Sequence, residues 1–258
     1  MRLAAACALL VALPALGATL DPAALDQGGD IAYRRAIQPA VDARRLNADR
    51  GIALRVRGEL NRILVGAPAI DPGARTMHWT VNVATDPVAE VLAFPGGRLL
   101  VHTGLVTGAG LSDEEQAAII AHVVAHSLLG EDRRRLEGAV RAEDAAAADP
   151  NRRALAVAGA VEVLSRRYDA PAIEAADRAG VELLARAAYT PRAAASAWRK
   201  LADKGSPLAA RYPVTPERLA ALEAAADKAM PLYQDTAAKA AQMQRERGSV
   251  PGPTRSIR

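Results

Sequence analysis

Two of the chain's four histidines, His122 and His126, stand four residues apart in the apolar run Ala117 to Leu129. At 3.6 residues per helical turn, positions four apart lie one above the other, so both imidazoles can face one point. That spacing is how a helix offers two nitrogens to one zinc ion. Where such a helix also activates the metal's water, a Glu directly after the first His takes the proton. Here that position holds Val123, so the pattern supplies ligands without a base. Glu114 and Glu115 lie about two turns earlier, ~10 Å away along the axis, and cannot stand in for it. The plain alternative is a pair of core histidines, hydrogen-bonded to backbone and holding no metal.

The elements around this helix can be read from punctuation and period. Ser112-Asp113-Glu114-Glu115 is a capping box that starts it. Before it, Met77 to Ala84, Val91 to Phe94 and Arg98 to Thr103 read as three strands of a small antiparallel sheet, the last two joined by the turn Pro95-Gly96-Gly97. His78 and His102 fall in strands and read as ordinary sheet residues. Residues 52–65 have helical apolar spacing, and 153–166 is a second core helix. Residues 133–148 are charged and Ala-rich, a solvated helix whose Arg clusters are a wetted face. Later helices are expected over 192–202 and 216–230, with Pro191 and Thr215 at their starts.

Several motifs in order carry a resemblance. Ala93-Phe94-Pro95-Gly96-Gly97, a strand, Thr103-Gly104-Leu105, an acidic cap and His-x-x-x-His resemble the zinc endopeptidases grouped with HtpX, BepA and the prenyl-protein CAAX endopeptidases (peptidase M forty-eight, gluzincin type). Downstream, Ile173-Glu174-Ala175-Ala176-Asp177-Arg178-Ala179-Gly180 is similar to the family's Glu-x-Glu-Ala-Asp-x-x-Gly helix, and Tyr212-Pro213 to Arg218-Leu219 to its His-Pro-x-x-x-x-Arg-Ile segment. The similarity covers about residues 52–226. It implies His122 and His126 as zinc ligands, Asp177 as the residue behind a ligand histidine, and a peptide strand bound beside Pro95, Gly96 and Gly97. The chain departs from the pattern at several site positions. Val123 replaces the base, Ile173 the carboxylate ligand, Ala175 the second Glu, Tyr212 the late His, and Glu90 an Asn. Glu174, one position along, is a weak third-ligand candidate, because one residue turns the helix by about 100°; as a solvated helix residue it needs no site role.

Composition bounds the rest. The net charge of +4 is spread over mixed Arg, Glu and Asp, and aromatic residues make up 3% of the chain, which argues against nucleic acid as a partner. Met1 to Ala18 reads as a signal peptide, since its apolar run is shorter than the ~20 residues of a membrane helix and contains Pro14. No later segment is apolar and long enough to span. The leader holds the single cysteine, Cys7, so the mature chain is expected to hold together by an ordinary core.

These readings converge on an α+β, mostly α-helical fold: a zincin-like metallopeptidase domain with a small antiparallel sheet. The expected organisation is a signal peptide at 1–18, a polar, partly mobile lead-in at 19–51 with a helical piece around residues 37–45, the domain at 52–230, and a C-terminal helix with a disordered tail at 231–258. The expected function is a periplasmic or secreted member of the family that is proteolytically inactive or impaired. It would bind unfolded or extended peptides and envelope proteins in quality control, with zinc, if bound, at low occupancy. The alternatives are an active zinc endopeptidase with a shifted ligand set, and a helical scaffold with a vestigial groove.

Overall fold

The computed structural model describes residues 19–164 and 168–248. The expected signal peptide, the last residues of the 153–166 helix and tail residues 249–258 lie outside the described residues. The first helix, α1 (Pro22–Asp42), is capped by Asp21, whose carboxylate accepts from the Ala23 N–H at 3.1 Å. It is followed by α2 (Arg50–Leu64), α3 (Ala67–Ile70), a 3₁₀ turn at Pro72–Arg75, strands β1 (Thr80–Ala84), β2 (Val91–Phe94) and β3 (Arg98–His102), and a π-type turn at Gly104–Gly108. Then come α4 (Asp113–Leu128), α5 (Glu131–Ala139), α6 (Ala142–Ala145), α7 (Pro150–Leu164), α8 (Ala170–Arg186), α9 (Ala193–Asp203), α10 (Pro207–Arg211) and α11 (Pro216–Gly248). The α+β, mostly helical fold expected from the sequence is the one found.

The axis of the fold is α4. Its residues Ala117 to Ala125 are apolar on nearly every side apart from His122, and this stretch is buried throughout. It packs against α8, α9, α2, α5 and β2. The capping box forms as the sequence predicts: the Ser112 hydroxyl accepts from Glu115 N and the Glu115 carboxylate from Ser112 N at 2.7 Å. Glu115 is further held by Lys200 at 2.7 Å and Ser196 at 2.8 Å, both on α9.

The sheet is mixed rather than antiparallel. Its order is β1-β3-β2, with β1 parallel and β2 antiparallel to β3. The reason is the length of 85–90: this segment reverses the chain but is too long for a tight hairpin, and β3 enters the space between β1 and β2. The first strand is also shorter than expected, since Met77, His78 and Trp79 precede it. Outside β1, residues 45–47 seal the sheet through an isolated bridge from Leu46 to Ala84 and bonds from Asn47 N to Val83 O at 2.6 Å and from Thr85 N to Arg45 O at 2.9 Å. Among the described residues, strand β2 is therefore the open edge.

Two more expectations are corrected. The lead-in is mostly the helix α1, whose Leu25, Ala32 and Tyr33 are buried in a second core with Val157, Ala158 and Val161 of α7. Gly28 and Gly29 obscure the period of its first part in sequence. The solvated helix at 133–148 is two short helices, with Leu136 and Val140 buried in that same core. Among the described residues no helix is long and apolar enough to cross a membrane.

Candidate functional site

His122 and His126 leave α4 on one face, and their Nε2 atoms are 3.2 Å apart. They are 2% and 1% exposed. Helix α8 reaches them because Gly180 has no side chain: a Cβ there would lie 3.1 Å from both N and Cα of His122. That approach sets Asp177 Oδ1 2.8 Å from His122 Nδ1, although off the direction of a well-aligned ring hydrogen bond. Arg218 fixes the carboxylate from α11, Nε donating to Oδ2 at 2.7 Å and Nη2 to Oδ1 at 2.9 Å. Its Nη1 donates to the carbonyls of Tyr212 and Pro213.

On the other side, Gly130 adopts φ +67° after α4, and the chain turns back so that Glu131 Oε2 lies 2.6 Å from His126 Nδ1. A neutral imidazole carries one N–H, so the pair has two hydrogens for three contacts: His126 Nδ1 to Glu131, His122 Nδ1 to Asp177, and Nε2 to Nε2. Burial lowers the His122 pKa to about 4, against the pull of Asp177. Burial alone would raise Asp177, but Arg218 and His122 hold its carboxyl below its ordinary value.

Aromatic rings close the pair. Tyr168 lies 4.0 Å from the His126 ring centroid and Tyr212 5.5 Å from it. Tyr212 and Trp198 meet His122 edge-on at 4.8 and 5.0 Å. The Tyr168 hydroxyl donates to Asp132 Oδ1 at 2.9 Å, and burial raises both tyrosines above their ordinary values. Arg135 lies over Tyr168 and Arg218 over Trp198 at 3.9 and 4.2 Å. A cleft of about 460 Å³ approaches along Tyr168, Ile173, Asp177, Pro213 and Arg218, but neither histidine lines it.

Two nitrogens held by one tetrahedral zinc stand ~3.3 Å apart, so the pair has the right separation. The remaining donors do not fit. Ile173 is buried and apolar at the third-ligand position. Glu174 points to solvent, 61% exposed and bonded to Arg178 one turn on, and so does not join the histidines. Glu131, Asp132 and Asp177 are each taken by a partner. Among the described residues no group of three His, Cys, Asp or Glu could hold a metal ion. Val123, 2% exposed, offers no proton acceptor. Tyr168, Trp198 and Tyr212 pack directly on the two imidazoles.

The other residues marked in sequence lie apart from the pair. Glu90 is buried against Arg211, which donates to both its oxygens at 2.9 and 3.1 Å, tying the start of β2 to α10. Burial raises its carboxyl, against the pull of Arg211. Gly96 and Gly97 take φ +84° and +78° in the hairpin turn. Arg98 Nη1 bonds Pro95 O at 2.8 Å and Asp26 of α1 at 2.9 Å, so this turn is fastened to α1.

Next to it is the outer edge of β2. Because His102 N donates to Glu90 O, residues 90, 92 and 94 face β3, while Val91 and Ala93 direct N–H and C=O to the open edge. Val91 N is taken by the Glu90 carboxylate at 3.1 Å. Ala93 has no bond on that side among the described residues, and it lines a groove of about 330 Å³ with Ala32, Ala36, Leu92, Phe94 and Val161. Sequence reasoning missed Glu131, Tyr168 and Trp198. Only Gly130, a helix-ending glycine before an acidic residue, hinted at the first.

No curated protein matches the sequence. The family model for peptidase family M48 matches residues 58–226, from α2 through the helix that carries Arg218, and the chain belongs to that family.

Proposed function

We propose that this protein binds extended polypeptide without cleaving it, in the periplasm or outside the cell, as part of envelope protein quality control. The observation that carries the reading is the closed histidine pair: two nitrogens beneath three aromatic rings, no third donor among the described residues, and Val123 where a base would stand. Family members are typically zinc-dependent, and a bound ion would supply an activated water. Among the described residues only His122 and His126 are placed to hold one. No step of hydrolysis is open to these residues.

Binding needs less. Ala93 presents one N–H and one C=O at the sheet edge, enough for one antiparallel pairing with an extended chain. The flanking apolar wall accepts small or aliphatic side chains, while the Arg35–Glu162 pair at 2.8 Å marks a polar rim. The test uses fluorescently labelled unfolded casein. The expected result is chelator-insensitive binding without cleavage, weakened ~3–10-fold by Ala93→Pro, which removes the outward N–H from an edge strand. Chelator-sensitive cleavage, or unchanged affinity in that variant, would overturn the reading.

A further inference from the structure

Glu59 lies far from the histidines, on the inward face of α2 with Val56, Leu60 and Ile63. It is 6% exposed, and both carboxylate oxygens are buried without a hydrogen-bond partner among the described residues. The neighbouring cations are engaged elsewhere. Arg55 Nη1 lies 3.6 Å from Asp113 Oδ1. Arg62 donates to the carbonyls of Ala187 and Ala188 at 2.5 and 2.8 Å and covers the Tyr189 ring at 4.0 Å. Facing Glu59 from the start of α4 are Asp113 and Glu114, whose sign opposes a negative charge, and Tyr189 comes from the corner after α8. A cavity of about 470 Å³ among these residues opens the joint to solvent.

We propose that Glu59 is a proton-operated latch at the joint of α2, α4 and the Tyr189 corner. Protonated, it stays packed with the core; ionised, it draws water in through the cavity and frees α2. A buried carboxylate without a partner strongly favours its neutral form. Burial raises this one to about 7, with Arg55 opposing and Asp113 reinforcing. The sign follows from a folded value above the unfolded one. The latch holds fully below about pH 4.5, weakens as pH rises, and is spent once pH passes about 7. This inference is independent of the peptide-binding reading.

The experiment is amide hydrogen exchange of α2 in the full chain from pH 5 to 8.5, corrected for intrinsic exchange. Opening in the native protein should rise by up to ~tenfold per pH unit between pH 5 and 7 and level off above, while Glu59→Gln stays flat. A flat native profile, or the same slope in both proteins, would refute the latch. A ¹³C titration of the Glu59 carboxyl in the native protein gives a second readout. A midpoint of about 7 supports the proposal, and one in the ordinary carboxylate range overturns it whether or not the variant folds.

Discussion

Replacing Arg218 with Met should be among the most damaging single changes outside the apolar core. The guanidinium bonds both oxygens of Asp177, two backbone carbonyls and the face of Trp198. Arg218 and Asp177 have side chains only 8% and 6% exposed. Met keeps most of the volume against Trp198 and removes the charge, so the loss is chiefly the cost of leaving Asp177 buried beside His122 without its cation. Breaking a buried pair in this way costs ~3–5 kcal/mol, a large part of the ~5–15 kcal/mol that stabilises a domain. Asp177→Asn should also destabilise, because it strands the arginine. The double variant should lose less than the sum of the two by ~1–3 kcal/mol. Urea unfolding of the four proteins, followed by circular dichroism, measures the cycle. A loss below ~1 kcal/mol for Arg218→Met, as exposed pairs give, or strict additivity, would refute the view that this pair holds the histidine site together.

The other expectations concern the same helix pair. Val123→Glu should restore no casein hydrolysis, because apolar Ile173 still stands at the third-ligand position and Tyr168 still packs on His126. It should also lower stability by ~3 kcal/mol or more through a buried, unpaired carboxylate, visible in the same urea curves. Recovered hydrolysis would mean that Glu174 swings in to bind metal. Gly180→Val should cost ~2–3 kcal/mol, since its Cβ meets α4 backbone rather than a movable side chain. Unchanged stability would show that α8 can slide away from His122.

How much of this was legible in sequence depends on how local the cause is. The capping box at Ser112, the hairpin at Pro95-Gly96-Gly97 and the apolar character of α4 are set by neighbouring residues, and each appears as its sequence indicates. Strand order is not local. Nothing in the alternation of residues 80–102 says that β3 pairs with both neighbours, so the parallel β1–β3 ladder was missed. Only the end of helix α1 reads as helical in sequence; its first part hid behind Gly28 and Gly29, which dilute a helical period while its apolar face meets α7. In the site, His122, His126 and Asp177 lie at helical spacings that fix their faces, whereas Tyr168 and Trp198 arrive from separate elements and carry no signal in sequence. Glu174 shows how sharp the limit is. One residue of offset sends its side chain to solvent and Arg178 instead of to the histidines.

The central claim is that the histidine pair is a closed, metal-free knot within a metallopeptidase fold. Zinc content of the purified full chain, after equilibration with micromolar zinc and removal of free ion, tests this directly. The predicted result is far less than one zinc per chain, unchanged when His122 and His126 are both replaced by Ala. One tightly held zinc per chain, lost in that double variant, would contradict it.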